Sequence, residues 1–197
     1  ALPIYEDGWP DIYVSNDFIY NDLLYINQKD GTFREEIQEY FAIQTYNSMG
    51  CDMADVNNDG HPDLMVLDML PPDQTQYRLM AGSMTYYKWG LMLSQGYAPQ
   101  YMRNTLHMNN GHPTGFHSSY AFTEVGRMAG VSATDWSWSA LFADWDNDGW
   151  KDLYITNGYK RDIINKDFID YTNSLIMFSD QSAADSMLLS EIKKRPG

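Results

Sequence analysis

Short alternations of apolar and polar residues recur along the chain and predict β-strands. Three of them follow the same polar pattern, Asp-Gly-x-x-Asp, and the copies begin at Asp7, Asp59 and Asp148. The apolar alternation after each copy has the period of two that half-buried strands show. Strands and turns that repeat at a spacing of about 50 residues are typical of β-propellers and related arrays. The pattern therefore predicts an all-β fold built from repeats.

A second repeated element lies between these copies. Residues 21–27 resemble residues 104–109, since both run from an Asn into an apolar alternation and end in an Asn. A Gly-containing turn and a further short alternation follow each of them. Asn and Gly favour the tight turns that join antiparallel strands. We therefore expect hairpins between the Asp-Gly copies.

Two segments show the period of a helix. Within residues 73–101, one helical face is formed by Met80, Met84, Tyr87 and Leu91. We expect this stripe to be core, and the alternative is a helical insertion that lies over a propeller face and shapes a ligand groove. A second amphipathic helix is predicted after Asp180, with Ala184, Met187, Leu188 and Ile192 on its apolar side. The chain then divides into repeats one and two (1–72), the insertion (73–101), repeat three (102–172) and a C-terminal helical segment (173–197).

Composition and charge narrow the classes of function. Apolar residues make up 44% of the chain and aromatic residues 15%, so a packed core is expected. The net charge of −14 argues against binding to nucleic acid or to an anionic membrane, because both need Lys and Arg. No run of about 18 apolar residues occurs, so direct membrane insertion is not predicted. The single cysteine, Cys51, excludes an intrachain disulfide and is expected to be a small buried residue.

The second and third Asp-Gly copies extend to complete nine-residue loops with oxygen ligands at positions 1, 3, 5 and 9. These ligands are Asp55, Asn57, Asp59 and Asp63 in the second loop and Asp144, Asp146, Asp148 and Asp152 in the third, with the backbone carbonyls of His61 and Trp150 at position 7. A Gly at position 6 allows the sharp turn, and Ca²⁺ accepts such a flexible set of oxygens. The alternative is a pair of Asx-rich turns, because turns use the same residues.

Two comparisons sharpen the calcium prediction. An EF-hand requires an acidic ligand at position 12, whereas Val66 and Ile155 stand there, inside strand-like runs. The absence of Cys, and of His side chains, among the ligands disfavours zinc and copper. The first copy has Pro3 and Tyr5 at positions 1 and 3, which leaves only Asp7 and Asp11 in register. We therefore predict two Ca²⁺ ions, and weak binding or none at the first copy.

The pattern Asp-x-Asp/Asn-x-Asp-Gly-x-x-Asp followed by Leu-x-Val/Ile resembles the FG-GAP or VCBS repeat of the integrin α-subunit propeller. Residues 50–55 and 131–138 are similar to a narrower group, large Bacteroidota surface proteins related to cartilage acidic protein. The resemblance covers residues 4–160. It implies a partial β-propeller of about three blades, calcium in the inter-strand loops, and an extracellular or outer-membrane-associated location. It also implies that the rest of a larger propeller, or an outer-membrane complex, covers the blade edges.

The leading hypothesis is a non-catalytic, calcium-stabilised module that binds a glycan or a surface protein, for adhesion or nutrient capture. The alternative is a propeller-based polysaccharide lyase or glycoside hydrolase, which would need two carboxylates at a defined separation. His107, His112 and His117 are expected to be surface or turn residues. Aromatic residues crowd around the third loop, and exposed ones would offer stacking surfaces for sugar rings. They are Trp136, Trp138, Trp145, Trp150, Tyr154 and Tyr159.

Overall fold

The fold was analysed in a computed structural model that describes residue 4 and residues 7–80, 85–111, 120–158, 165–178 and 181–194. Two units result: Ala1–Leu70 with Met84–Asn157, and Pro71–Ser83 with Gly158–Gly197. The strands are β1 (Ile12–Val14), β2 (Leu23–Asn27), β3 (Phe33–Glu35), β4 (Gln44–Thr45), β5 (Gly50–Ala54), β6 (Asp63–Leu67), β7 (Gln100–Tyr101), β8 (Thr105–Asn109), β9 (Phe122–Glu124), β10 (Ser137–Ala143) and β11 (Asp152–Asn157). The helices are α1 (Ile37–Tyr40), α2 (Gln74–Leu79), α3 (Tyr86–Ser94), α4 (Lys166–Phe178) and α5 (Gln181–Lys194).

The strands of the first unit form three antiparallel sheets that repeat one topology. The first sheet has the order β1-β2-β3, the second β5-β6-β8-β9 and the third β10-β11, while β4 and β7 form a small parallel pair. Tyr13 faces Leu24 in the first sheet, and Met65 faces Leu106 in the second. Thus β1, β6 and β11 are equivalent, as are β2 and β8, β3 and β9, and β5 and β10. The predicted repeats and hairpins are confirmed.

The second sheet packs against the other two through opposite faces of β6. Leu64 and Val66 belong to a hydrophobic cluster with Leu24 of the first sheet. Met65 and Leu67 belong to another cluster with Ala140 of the third sheet. Successive side chains of a strand point to opposite faces, so β6, whose residues 64–67 are all apolar, can contribute to two cores. Burial of each large apolar side chain contributes about 1.5–3 kcal/mol.

A close approach of backbones fixes the third sheet on the second. A Cβ at Gly50 of β5 would collide with the carbonyl oxygen of Trp138 in β10. Asp52 reaches across the same boundary, and its Oδ2 accepts a hydrogen bond from Phe142 N at 2.7 Å. Glycine is therefore required at residue 50 to allow the backbones of β5 and β10 to approach this closely.

The prediction that the helical stripe in residues 73–101 is core is wrong for Tyr87 and Leu91, whereas Met80 is buried as expected. Two short helices replace one long helix, because Asp73 caps α2 and the chain becomes extended at Met80. In α3, Tyr87 is 79% exposed and Leu91 is 49% exposed, while Met92 is buried instead. Met84 lies outside the described residues. A helical period on its own does not determine where a helix begins, because the capping residues set that. Nor does it determine which face of the helix is buried.

The helix predicted after Asp180 is confirmed, because α5 spans Gln181–Lys194. The preceding α4 was not predicted, and its first residues fall within the segment assigned to repeat three. No described helix is both long enough and apolar enough to cross a bilayer.

Asp68 and His107 are titratable side chains that are buried in the first unit. Asp68 follows β6, and its carboxylate accepts hydrogen bonds from the backbone N–H groups of Tyr46, Asn47 and Met69 at 2.6–2.9 Å. Burial, despite these bonds, raises the pKa of Asp68 to about 6. His107 lies in β8 with its ring edge-on to Phe41, and burial lowers its pKa to about 4. The expectation that His107 is a surface residue is wrong, because its strand alternation points it into the core.

These two groups make opposite contributions to stability between pH 4 and pH 6.5. The raised pKa of Asp68 favours the folded state at low pH, and this contribution is lost as the pH rises through about 6. The lowered pKa of His107 favours the folded state above pH 6.5, and this is lost as the pH falls toward about 4. In His107→Phe only the first effect remains. As the pH falls from 6.5 to 4, we expect the free energy of unfolding of the variant to rise by about 3 kcal/mol relative to that of wild type. Urea denaturation at a series of pH values measures this difference. If the free energies of unfolding of His107→Phe and wild type change by the same amount between pH 6.5 and pH 4, the assignment is contradicted.

Candidate metal centre

The second and third Asp-Gly loops have the same backbone structure. The loop between β5 and β6 begins at Asp55, whose carboxylate accepts from the N–H of Asp59 at 3.1 Å and of Gly60 at 2.9 Å. The loop between β10 and β11 begins at Asp144, whose carboxylate accepts from the N–H of Asp148 and of Gly149, both at 3.0 Å. The residue at position 1 thus organises the turn in both loops.

The remaining loop positions repeat as well. The carboxylate at position 5 accepts from the N–H at position 7, and the distance is 2.8 Å for both His61 and Trp150. The carboxylate at position 9 accepts from the N–H at position 2 at 3.0 Å in both loops. The Gly at position 6 has a φ of 93° in both loops, a conformation that an L side chain disfavours. The local sequence is therefore sufficient to define this turn.

In the third loop, three carboxylates converge. One oxygen each of Asp144, Asp146 and Asp152 lies within 4.8 Å of the others. Two oxygens bound to one Ca²⁺ at its usual bond lengths are at most about 5 Å apart, so this cluster fits a single cation. Within the described residues, no Lys or Arg forms an ion pair with an acid of either loop. Like charges at this distance repel one another unless a cation lies among them.

The second loop carries one acid fewer, because Asn57 stands where the third loop has Asp146. Asn57 Nδ2 donates to Asp59 Oδ2 at 2.8 Å, and the N–H of His61 and this amide lower the pKa of Asp59. Asp63 is fully buried, and this burial raises its pKa although it accepts two backbone hydrogen bonds. A nearby cation stabilises the charged form of a buried carboxylate and so opposes the effect of burial on its pKa.

The first copy keeps the turn but compensates its charge differently. Gly8 has a φ of 84°, and Asp7 Oδ1 accepts from Trp9 N at 2.9 Å, as in the complete loops. Asp7 Oδ2 forms an ion pair with Lys29 Nζ at 3.0 Å, and these contacts lower the pKa of Asp7. Asp11 is buried, and its Oδ1 accepts from Asn27 N at 2.9 Å. Lys29 therefore balances the charge of Asp7 in the first copy, whereas no described Lys or Arg pairs with an acid of the other two loops. Pro3 and Tyr5 lie outside the described residues.

Aromatic side chains flank the third loop, as the sequence suggested. Trp145 is 59% exposed and Trp150 is 54% exposed, and their backbone N–H groups bind the loop acids Asp152 and Asp148. Trp138 and Tyr154 are exposed on the neighbouring strands, while Trp136 is half-buried and stacks on Trp138. Tyr159, His112 and His117 lie outside the described residues.

Sequence reasoning missed the hydrogen bonds that join the neighbouring strand of a sheet to the last acid of its Asp-Gly loop. Asn109 at the end of β8 donates its N–H to Asp63 Oδ1 at 2.9 Å, as Asn27 does to Asp11. The side chains of Asn109 and Asn27 also donate to the carbonyls of Pro62 and Pro10. The recurrence of Asn at the ends of both strands was the available signal.

Comparison with known families agrees with this geometry. Residues 4–66 match the model of the FG-GAP-like repeat. This FG-GAP-like repeat covers about a third of the chain, from the first Asp-Gly copy to the end of the second loop and most of β6. None of the curated proteins matches the chain. The third loop lies beyond the matched residues. Its place in the repeat pattern follows from its internal hydrogen bonds, which are the same as those within the second loop.

Proposed function

We propose that the chain is a calcium-stabilised part of a β-propeller in a secreted or surface-exposed protein, and that it binds a glycan or a protein without catalysing a reaction. The observation that carries the proposal is the repeated loop, in which the same hydrogen bonds arrange the acids around one point. The FG-GAP-like repeat at residues 4–66 and the three stacked sheets support the propeller. The resemblance to Bacteroidota surface proteins stays a prediction.

The proposed ions are held by the ten residues named from the sequence. In the third loop, the carboxylates of Asp144, Asp146 and Asp152 form the centre, and Asp148 adds its second oxygen. In the second loop, Asp55, Asp59 and Asp63 supply the charge and Asn57 a neutral oxygen. The carbonyls of His61 and Trp150 complete the sets. The role of the ion is structural, because it neutralises acids that join two strands of one sheet.

Direct binding tests the sites one at a time. Terbium has the size and oxygen preference of calcium, and Trp145 and Trp150 stand beside the third loop as energy donors. We expect two equivalents of Ca²⁺ by calorimetry, and tryptophan-sensitised terbium emission that excess Ca²⁺ quenches. Asp144→Ala removes a ligand and two backbone hydrogen bonds, so it should abolish most of the emission and one binding equivalent.

The first copy provides the matched control. Asp7→Ala removes a loop carboxylate that is already paired with Lys29, so it should leave both the stoichiometry and the terbium emission unchanged. Failure of wild type to bind Ca²⁺ in millimolar calcium, or loss of a binding equivalent in Asp7→Ala, would refute the assignment of the two sites.

Exposed tryptophans beside the third loop favour a glycan as the ligand. Trp145 and Trp150 occupy positions 2 and 7 of the third loop and are more than half exposed. Aromatic faces offer apolar platforms on which sugar rings can stack. We expect the double variant Trp145→Ala/Trp150→Ala to bind a glycan identified on an array at least about tenfold more weakly.

Trp9 is the control, since it follows the first Asp-Gly as Trp150 follows the third and is also exposed. Trp9→Ala should bind the same glycan as wild type does. Equal losses in both variants would indicate a general effect on the fold. Release of new reducing or unsaturated ends from the glycan would instead establish the hydrolase or lyase alternative.

A further inference from the structure

We propose that Asn58 of the second loop is a positioning residue for the ion site of the third loop, and that an ion at either loop thereby raises the affinity of the other about fivefold. This coupling rests on the proposed function, because it concerns the same two calcium sites, and it adds that the two sites are linked. The contact that carries it is a hydrogen bond between the loops, in which Asn58 Nδ2 donates to Gly149 O at 3.1 Å.

On the second loop, Asn58 projects from a backbone that the proposed ligands hold. It stands at position 4, between Asn57 and Asp59, and its φ of 56° lies in the left-handed region that Asn tolerates better than most residues. The N–H of Asp59 donates to Asp55 Oδ1 and to Asn57 Oδ1, each at 3.1 Å. An ion that fixes Asn57 and Asp59 therefore also fixes the segment that carries the Asn58 side chain.

On the third loop, the bond holds the peptide unit that joins Gly149 to Trp150. The oxygen of this unit accepts from Asn58, and its N–H donates to Asp148 Oδ1 at 2.8 Å. Asp148 is the proposed ligand at position 5, and the carbonyl of Trp150, directly after this unit, is the one at position 7. A peptide unit held at both polar ends limits the orientations of these two ligands before the ion arrives. Ligands that are ordered in advance bind more tightly, because less conformational freedom is lost on binding.

The strands that lead into the two loops are joined as well. Phe142 N donates to Asp52 Oδ2 at 2.7 Å, and these residues lie two positions before the third loop and three positions before the second. The close approach of Gly50 to the carbonyl oxygen of Trp138 joins the same strands, β5 and β10. The loops therefore start from strands that are fixed to each other, and Asn58 adds a contact between the loops themselves. A contiguous set of contacts of this kind can carry a coupling free energy.

The sign of the effect distinguishes this contact from simple electrostatics. The second loop contains three acids and the third contains four. An ion in one loop neutralises part of the negative charge that attracts a second ion, so charge alone makes the second ion bind more weakly, and salt screens this effect. A hydrogen bond that forms better when a loop is ordered acts in the opposite direction. Its net value corresponds to a change of about twofold to tenfold in an equilibrium constant.

Asn147 is the matched control for Asn58. It stands at position 4 of the third loop, is exposed as Asn58 is, and has a φ of 60°. In the described part of the chain, its side chain has no counterpart of the bond that Asn58 makes to the other loop. Glycine adopts the left-handed conformation without strain, so Asn58→Gly and Asn147→Gly each remove the side chain and keep the turn.

The test measures terbium binding at the third loop of the whole chain through the emission that its tryptophans sensitise. The dissociation constant is compared with and without Asp55→Ala, which removes position 1 of the second loop. We expect Asp55→Ala to weaken binding at the third loop about fivefold in wild type and in Asn147→Gly, and to have no effect in Asn58→Gly. By reciprocity, Asp144→Ala should weaken Ca²⁺ binding at the second loop by the same factor in calorimetry. Asn58→Asp, which tolerates the same φ and has no N–H to donate, replaces Asn58→Gly if that variant fails to fold.

A wild type that binds two ions, but whose third loop is unchanged or tightened by Asp55→Ala, would overturn the coupling and leave the proposed function intact. An equal effect of Asp55→Ala in wild type and in Asn58→Gly would overturn the role of Asn58. Urea denaturation in EDTA tests a purely structural role. If Asn58→Gly is less stable there than Asn147→Gly, Asn58 supports the fold rather than the ion site, and the proposal fails. Absence of terbium and calcium binding by wild type would refute the proposed function, and the coupling with it.

Discussion

Removal of calcium is expected to lower the free energy of unfolding by about 3–5 kcal/mol relative to 10 mM Ca²⁺. An ion that binds only the folded state stabilises it according to its concentration relative to the dissociation constant. Two sites with constants of about 10⁻⁴–10⁻³ M account for this sum. The physical basis is the repulsion among the acids of each loop, most of all among Asp144, Asp146 and Asp152, whose oxygens lie within 4.8 Å of one another.

Urea denaturation in calcium and in EDTA measures this difference. The double variant Asp55→Ala/Asp144→Ala lacks position 1 of both loops and should show the same stability in the two buffers. Asp7→Ala should respond to EDTA as wild type does, because Lys29 already pairs with that carboxylate. Identical wild-type curves in calcium and EDTA would mean that the loops are Asx-rich turns without a structural ion.

Asp68→Ala is expected to lower the free energy of unfolding by about 4 kcal/mol at pH 7, without a change in calcium binding. The carboxylate is fully buried and accepts from Tyr46 N and Asn47 N through Oδ2 and from Met69 N through Oδ1. Without it, Asn47 N and Met69 N lose this acceptor, and Tyr46 N keeps only its longer hydrogen bond to Tyr101 O at 3.2 Å. Each unsatisfied buried donor costs about 1–3 kcal/mol, and relief of the buried charge offsets part of the sum.

Asp73→Ala is the matched control for this change. Asp73 also accepts two backbone N–H bonds, from Thr75 and Gln76 at 2.9 Å, but at an exposed helix start where water can replace it. Its loss should cost about 1 kcal/mol. Asp68→Asn should fall between the two, because one carbonyl oxygen remains and the new NH₂ faces other donors. If Asp68→Ala and Asp73→Ala are equally mild, Asp68 does not hold the chain between β4 and β5.

The loops were predictable from the sequence because they are determined locally. Nine consecutive residues contain the carboxylates, the N–H groups that bind them and the glycine with positive φ. Position 12 lies in β6 and β11, as the argument against an EF-hand required. The strands after each loop followed from the same short patterns, and the FG-GAP-like repeat at residues 4–66 agrees with them.

The helical insertion shows where a local pattern stops being sufficient. The spacing of Met80, Tyr87 and Leu91 fits a helix, but the caps at Asp73 and Thr85 divide the segment into two helices and leave Tyr87 and Leu91 exposed. Which face is buried depends on the surface that the helix meets, and periodicity does not contain that surface.

The sequence by itself determined the repeat, the turn of each Asp-Gly loop and the identity of the proposed ligands. Only the tertiary structure decided that Lys29 neutralises Asp7 and that Asp68 and His107 are buried. The physical reason is separation along the chain. A loop closes its hydrogen bonds within nine residues, whereas Lys29 is 22 residues from Asp7 and Asp52 is 90 residues from its donor in β10. Contacts at such distances depend on how the sheets pack together.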